Sequence, residues 1–250
     1  MKILVLPDVQ ARDGIDFSFL TSIGNLIVDE RPDCLICIGD FADMESLSSY
    51  DRGTKSFEGR RYTKDIWSAR EAMDALLAPI YAEHHRLKYN KKKKWDLRMI
   101  LTLGNHENRI NRCVESDPKL DGLISTDDLP YQDFEVYKFL EIVIVEGVAF
   151  SHYFTSGLMG RPIGTAQQML NKMHMSCFAG HQQTKQIAFA KRADNKTITG
   201  IICGACYEHS ESYLGAQGNF HFRGLFILDD VVDGEFNERA IPLSTIVKNY

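Results

Sequence analysis

The chain has 250 residues, 44% of them hydrophobic and 25% charged, with a formal net charge of −5. Such a composition can bury a full core without disulfides or a structural metal. Its acidity argues against avid non-specific nucleic-acid binding, which needs a basic surface. No run reaches the roughly eighteen apolar residues of a membrane span. The apolar start, Met1 to Leu6, meets Asp8 too soon for a secretory leader. The expectation is therefore a cytoplasmic protein, with no membrane association and no evident obligate protein partner.

In chain order, residues 2–6 read as a short buried strand ending at Asp8. Ile15, Phe19, Leu20, Ile23, Leu26 and Ile27 give helical periodicity over 15–30, stopped before Pro32. Residues 33–38 form a second buried strand, ending at Gly39-Asp40. A helical stretch follows over about 65–88, with Pro79 as a place for a kink or a split. The basic run Lys91 to Lys94 reads as a solvated loop, and 98–103 as a third strand ending at Gly104-Asn105.

The second half changes character. Residues 141–151 read as two strands turned at Glu146-Gly147, and 163–175 as a helix. Residues 186–192 and 197–203 read as one hairpin. Residues 220–229 and 235–242 read as another, turned at Asp233-Gly234. The order predicts an α/β fold: two packed mixed β-sheets flanked by helices. With no repeat or linker, 1–250 reads as a single domain. Its helical insertion, at about 44–97, is expected to shape the substrate mouth.

Two C-x-x-C pairs, Cys34/Cys37 and Cys203/Cys206, invite a zinc reading. About 165 residues separate them, and residues three apart on a strand face opposite sides. Reduced core cysteines are expected instead.

The chemistry gathers at strand ends. Asp8 and Gln10 follow the first strand, and Asp40 and Asp43 the second. Asn105, His106 and Glu107 follow the third. His152 and then Gly180-His181-Gln182-Gln183 follow two later ones. Carboxyl ends of strands in open α/β sheets bind ligands, and oxygen and imidazole groups delivered there can converge on divalent cations.

These blocks resemble the calcineurin-like metallophosphoesterases, whose order is D-x-H, G-D-x-x-D, G-N-H-(D/E), an isolated H, and G-H-x-H. The present chain carries Asp8-Val9-Gln10, Gly39 to Asp43, Gly104 to Glu107, His152 and Gly180 to Gln183. The resemblance covers about residues 1–230 and is closest in feel to compact, phage-type members. It implies an αββα sandwich in which Asp40 bridges two divalent ions. Asn105, His152 and His181 complete one site; Asp8, Gln10 and Gln183 complete the other. It further implies that His106 stabilises the transition state or protonates the leaving oxygen, that Asp43 orients His106, and that a metal-activated water attacks phosphorus. Arg12, Arg109 and Arg161 lie near the blocks and are candidates to grip phosphate.

The chain departs from that pattern where Gln10 and Gln183 replace two histidines of one site. Amide oxygen suits Mn²⁺ or Mg²⁺ there, whereas the histidine site suits Mn²⁺, Fe²⁺ or Zn²⁺. Hydrogen bonding to metal-held water is the alternative role for both glutamines. The resulting expectation is a metal-dependent phosphoester hydrolase, read as a phosphodiesterase acting on nucleotides or nucleic-acid ends. The alternatives are a phosphomonoesterase or protein-phosphatase-like activity, and a degenerate metal-binding member without turnover.

Overall fold

The computed structural model describes residues 1–49, 53–210 and 221–250. Strands β1 (Ile3–Leu6), β2 (Cys34–Cys37) and β3 (Arg98–Thr102) form where the sequence has short apolar runs, and β1, β2 and the inner end of β3 are buried. Their neighbours are β4 (Glu135–Tyr137), β12 (Gly224–Val232) and β13 (Glu235–Pro242). The six-stranded sheet runs β13-β12-β1-β2-β3-β4. Strands β1 to β4 are mutually parallel, and β12 and β13 pair antiparallel.

The second sheet contains β5 (Val143–Val145), β6 (Val148–Phe150), β9 (Cys177–Ala179), β10 (Lys185–Lys191) and β11 (Thr197–Cys203), ordered β10-β11-β9-β6-β5. Within it β6, β9 and β11 are parallel. A two-stranded ribbon, β7 (Thr155–Ser156) with β8 (Arg161–Pro162), leaves this sheet just after β6.

Alternation along the strands builds the layers. Ile3, Val5, Cys34, Ile36 and Ile100 point between the sheets and meet Val145, Phe150, Phe178 and Ile201. Leu4, Leu6, Leu35, Cys37 and Leu101 point outward, towards helices α1 (Ser18–Glu30) and α2 (Tyr62–Tyr89). Ala149, Cys177 and Ile202 pack on α4 (Ala166–Met173). The result is helices, sheet, sheet, helix: the expected sandwich. The short α3 (Arg109–Ser116) follows the β3 motif, and α5 (Leu243–Asn249) packs Leu243 and Ile246 into the outer core.

Several expectations are refined. Helix α2 runs unbroken through Pro79, because buried Met73, Leu76, Leu77 and Ile80 hold both sides of the proline to the core. Within residues 44–97 two 3-10 turns (Glu45–Leu47 and Lys55–Phe57) precede α2, and residues 90–97 are turn and irregular chain. The helix expected over 163–175 spans only Ala166–Met173, capped at its start by the Thr165 side chain. Phe220, the first residue of the last expected hairpin, lies outside the described residues, as do residues 50–52. Lys91 to Lys94 are exposed. Cys34 and Cys203 lie between the sheets whereas Cys37 and Cys206 lie in the outer core, and all four are free thiols.

Candidate metal centre

Since β1, β2 and β3 are parallel, and so are β6 and β9, their carboxyl ends converge on the seam between the two sheets. There Asp40, His152 and His181 each offer a ligand atom within 4.8 Å of the others. The Nδ1 of His152 faces the Ile38 carbonyl at 2.9 Å, an oxygen that can only accept, so that nitrogen carries the proton. Its Nε2 then meets Asn105 Oδ1 at 3.0 Å and Asp40 Oδ2 at 3.2 Å. An imidazole nitrogen and two oxygen acceptors facing one another require a positive centre between them, either a proton or a metal ion.

Electrostatics agree with that geometry. Burial by itself disfavours a charged His152, but Asp40 and Asp8 override it and hold the imidazole at about 9. Burial also acts to raise Asp40, yet His106 and His152 keep its carboxyl well below the usual range. His181 goes the other way. Burial and then the neighbouring His152 push it down to about 4, leaving a neutral ring with a lone pair to offer. The His181 ring lies 5.3 Å from that of His152 and 4.8 Å from that of Tyr153.

On the Asp8 side two oxygens are conspicuous. Asp8 Oδ2 and Gln10 Oε1 are both buried without any hydrogen-bond partner among the described residues. Asp8 itself is fully buried and its pKa rises to about 7, through burial first, opposed by His152 and reinforced by Asp40. Two buried, unpartnered oxygens are costly unless something positive meets them. The donor set therefore fits a second cation beside the first, with oxygen ligands only.

The backbone brings these groups close. A Cβ added to Gly104 would lie 2.0 Å from Asp40 Oδ1, and one on Gly180 would lie 2.5 Å from Asp8 Oδ1. Both glycines are the room in which a carboxylate sits. Gln10, Asp40, His181 and Gln183 all have positive φ, between 49° and 66°. Left-handed non-glycine residues concentrated at one seam are the strain expected of a functional site.

Beside the cluster, His106 Nδ1 lies 2.8 Å from Asp43 Oδ1, and His106 Nε2 lies 3.7 Å from Asp40 Oδ2. Asp43 is held at about 2: burial opposes, but His106, Arg109 and Arg12 outweigh it. Burial disfavours a charged His106 too. Asp40 and Asp43 nevertheless raise its pKa, against both burial and the Arg109 charge.

The arginines are placed differently from one another. Arg109 donates to the Asp43 carbonyl at 2.7 Å and to its carboxylate at 3.3 Å, and its Nη2 lies 3.2 Å from His106 Nε2. Arg12 reaches the other Asp43 oxygen at 3.5 Å. Arg161 sits on the exposed β7–β8 ribbon. Gln183 shares the turn that His181 anchors to Asp8 through its main-chain N–H at 3.2 Å, and its Oε1 accepts from Tyr207 at 3.0 Å.

One residue of the quoted motifs received no role from sequence. Glu107, fully buried, accepts the N–H groups of Asp40 (3.0 Å), Gly104 (2.8 Å) and Ala42 (2.9 Å), and the Tyr131 hydroxyl (3.0 Å). It ties the β2 loop to the β3 loop. The only sequence signal was an acid directly after His106, where a charge has no obvious partner.

A two-sheet sandwich that brings its parallel strand ends to one cation-seeking seam has the construction of a metal-dependent phosphoester hydrolase. The family model described as calcineurin-like phosphoesterase matches residues 1–175. The chain belongs to that family. No curated protein matches this sequence. One solved crystal structure aligns over 96% of this chain and 98% of its own at 13% identity, with a TM-score of 0.38. Among the described residues no helix is long and apolar enough to cross a membrane.

Proposed function

We propose that this phosphoester hydrolase is a phosphodiesterase acting on nucleotides or nucleic-acid ends. The observation that carries the reading is the His106–Asp43 pair set beside the Asp40–His152–His181 cluster. Asp40, Asn105, His152 and His181 would hold one divalent ion, Mn²⁺, Fe²⁺ or Zn²⁺. Asp8, Gln10 and the shared Asp40 would hold the other, Mn²⁺ or Mg²⁺. Divalent ions so held withdraw charge from phosphoryl oxygens and lower the pKa of water.

The chain's own residues divide the remaining work. Asp43 fixes the His106 tautomer by accepting from Nδ1, which leaves Nε2 as the atom that faces the reacting group. Set 3.7 Å from Asp40 Oδ2, His106 Nε2 is placed beside the cluster to hand a proton to the leaving oxygen. Arg12 lies against Asp43, while Arg109 spans the pair, reaching Asp43 through Nη1 and the Nε2 edge of His106 through Nη2. Their commitment to Asp43 also favours a diester. A dianionic monoester calls for cations beyond the metals, and the two arginines nearest the cluster are already engaged there.

The test is a comparison of bis(p-nitrophenyl) phosphate, p-nitrophenyl phosphate and single-stranded DNA, each with Mn²⁺, Mg²⁺ and Zn²⁺. The diester should give the higher kcat/KM, with Mn²⁺ the best ion. A monoester preference of tenfold or more would replace the diesterase with a phosphomonoesterase. Full metal binding with no turnover of any substrate would favour the degenerate member.

A further inference from the structure

The two glutamines that replace histidines look equivalent in sequence, but their side chains meet different partners. Gln10 is 1% exposed and its Oε1 has no hydrogen-bond partner among the described residues; the same is true of Asp8 Oδ2 nearby in the chain. Gln183 is 7% exposed, and its Oε1 is occupied by the Tyr207 hydroxyl at 3.0 Å. Tyr207 is fully buried. Its hydroxyl donates to Gln183, and within a carboxamide only the carbonyl oxygen can accept that proton.

The phenol is itself fixed relative to the cluster. The N–H of Cys206, one residue before it, donates to the Asp8 carbonyl at 2.8 Å. The Tyr207 ring is stacked on His209, with centroids 4.3 Å apart and planes 15° from parallel. With its oxygen turned to Tyr207, Gln183 presents its NH₂ group, for which the described residues supply no acceptor. An NH₂ group cannot ligate a cation. It can donate to an anionic oxygen.

We propose that Gln183 is an amide donor to the phosphoryl group and not a metal ligand, and that Tyr207 is the positioning residue that fixes the amide in that sense. The proposal rests on the phosphoesterase reading of the site. The oxygen-only cation site then consists of Asp8, Gln10 and Asp40, while the turn that carries His181 contributes one metal ligand and one substrate contact. The two histidine replacements thus have separate consequences: Gln10 hardens the cation site, and Gln183 converts a ligand position into a substrate-binding one.

Calorimetry of metal-free protein with Mn²⁺, and then of Mn²⁺-loaded protein with inorganic phosphate, tests the assignment in Gln10→Met, Gln183→Met and Tyr207→Phe. Gln183→Met should keep both Mn²⁺ equivalents within about twofold of wild-type affinity but bind phosphate about tenfold more weakly, the scale of one hydrogen bond to a charged group. Tyr207→Phe should weaken phosphate in the same direction, and Gln10→Met should weaken one Mn²⁺ equivalent instead. Loss or tenfold weakening of an Mn²⁺ equivalent in Gln183→Met would make Gln183 a ligand and overturn the proposal. Unchanged phosphate affinity there would overturn it as well.

A measurement on the unaltered protein stands whether or not the variants fold. In Mg²⁺-loaded protein labelled with ¹⁵N-glutamine, the Gln183 side-chain NH₂ resonances should move downfield when phosphate is added. Their failure to move would overturn the assignment. Wild-type protein that binds neither Mn²⁺ nor phosphate would instead defeat the phosphoesterase reading, an outcome separate from both.

Discussion

Glu107 offers the sharpest test of how the metal seam is held. Its Oε2 accepts from Asp40 and Gly104, and its Oε1 from Ala42 and Tyr131. In Glu107→Gln one oxygen becomes an NH₂ group. Placed towards Asp40 and Gly104, that group would strand two main-chain donors. Placed towards Ala42 and Tyr131 it strands one main-chain donor, since the phenol oxygen can turn and accept, though its own proton then loses its partner. The second arrangement should prevail, leaving the Ala42 N–H buried and unsatisfied at a cost of about 1–3 kcal/mol. For a chain of this size that corresponds to a fall in Tm of about 3–10 °C. The Asp40 side of the clamp stays intact, so Mn²⁺ affinity should change by less than about threefold. Glu107→Ala, which removes every acceptor, should lower both Tm and Mn²⁺ affinity further. Differential scanning calorimetry with and without Mn²⁺ provides the readout. Burial raises the pKa of Glu107, and a Glu107 that is already protonated would resemble glutamine. A Glu107→Gln Tm within about 1 °C of wild type would therefore refute an ionised clamp.

Three further outcomes follow from the same geometry. Asp40→Asn should abolish turnover and lower bound metal at both sites, measured by elemental analysis after gel filtration; retained activity would sink a shared carboxylate. His106→Gln should keep its metal while kcat falls by roughly 10²–10⁴-fold, and a matching loss of metal would make His106 a ligand. Far from the seam, Glu30 receives Arg239 and Lys2; the Arg239 hydrogen bond, only partly opposed by burial, holds its carboxyl at about 2 against an ordinary 4.5. A depressed carboxyl contributes fully above its unfolded pKa and loses that contribution as pH falls from 4.5 towards 2. Glu30→Gln should thus lower Tm by about 1–4 °C at pH 6 and by much less near pH 2; an equal loss at both would refute the linkage.

Much of the scaffold was legible because each ligand block directly follows a short apolar strand, a pattern that survives in one dimension. Elements with little buried surface were not. Helix α3 buries only Ile110, β4 has three residues at a sheet edge, and β7 and β8 have two residues each. None of these carries enough apolar periodicity to be heard. The site was legible as a set of residue types, but not as a set of partners. Proximity to a motif made Arg12, Arg109 and Arg161 equal candidates for phosphate, whereas the fold sets the first two on Asp43 and leaves the third on an exposed ribbon. Glu107 was invisible for the same reason, since its four partners come from three separate segments.

Backbone conformation at the ligands explains why the clamp matters. Left-handed geometry costs a non-glycine residue about 1–3 kcal/mol, and Gln10, Asp40 and His181 all adopt it. Aspartate and histidine enter that region more readily than most residues, but glutamine gains nothing from it locally. Each is held by its own main-chain N–H. Gln10 donates to the Asp40 carbonyl at 2.9 Å, Asp40 to Glu107, and His181 to Asp8. These three are thus each tied to another member of the seam: Gln10 and Asp40 through a series of bonds that ends on the buried Glu107 carboxylate, and His181 through Asp8. Loosening one tie should release strain at its neighbours, so substitutions in this set should be non-additive. The double variant Glu107→Ala with Gly104→Ala should cost less stability than the two singles summed, because a Cβ at Gly104 clashes with an Asp40 that Glu107→Ala has already set free. Strict additivity in denaturant unfolding would mean that the ligand loops are held independently, and that the linked arrangement does not govern the site.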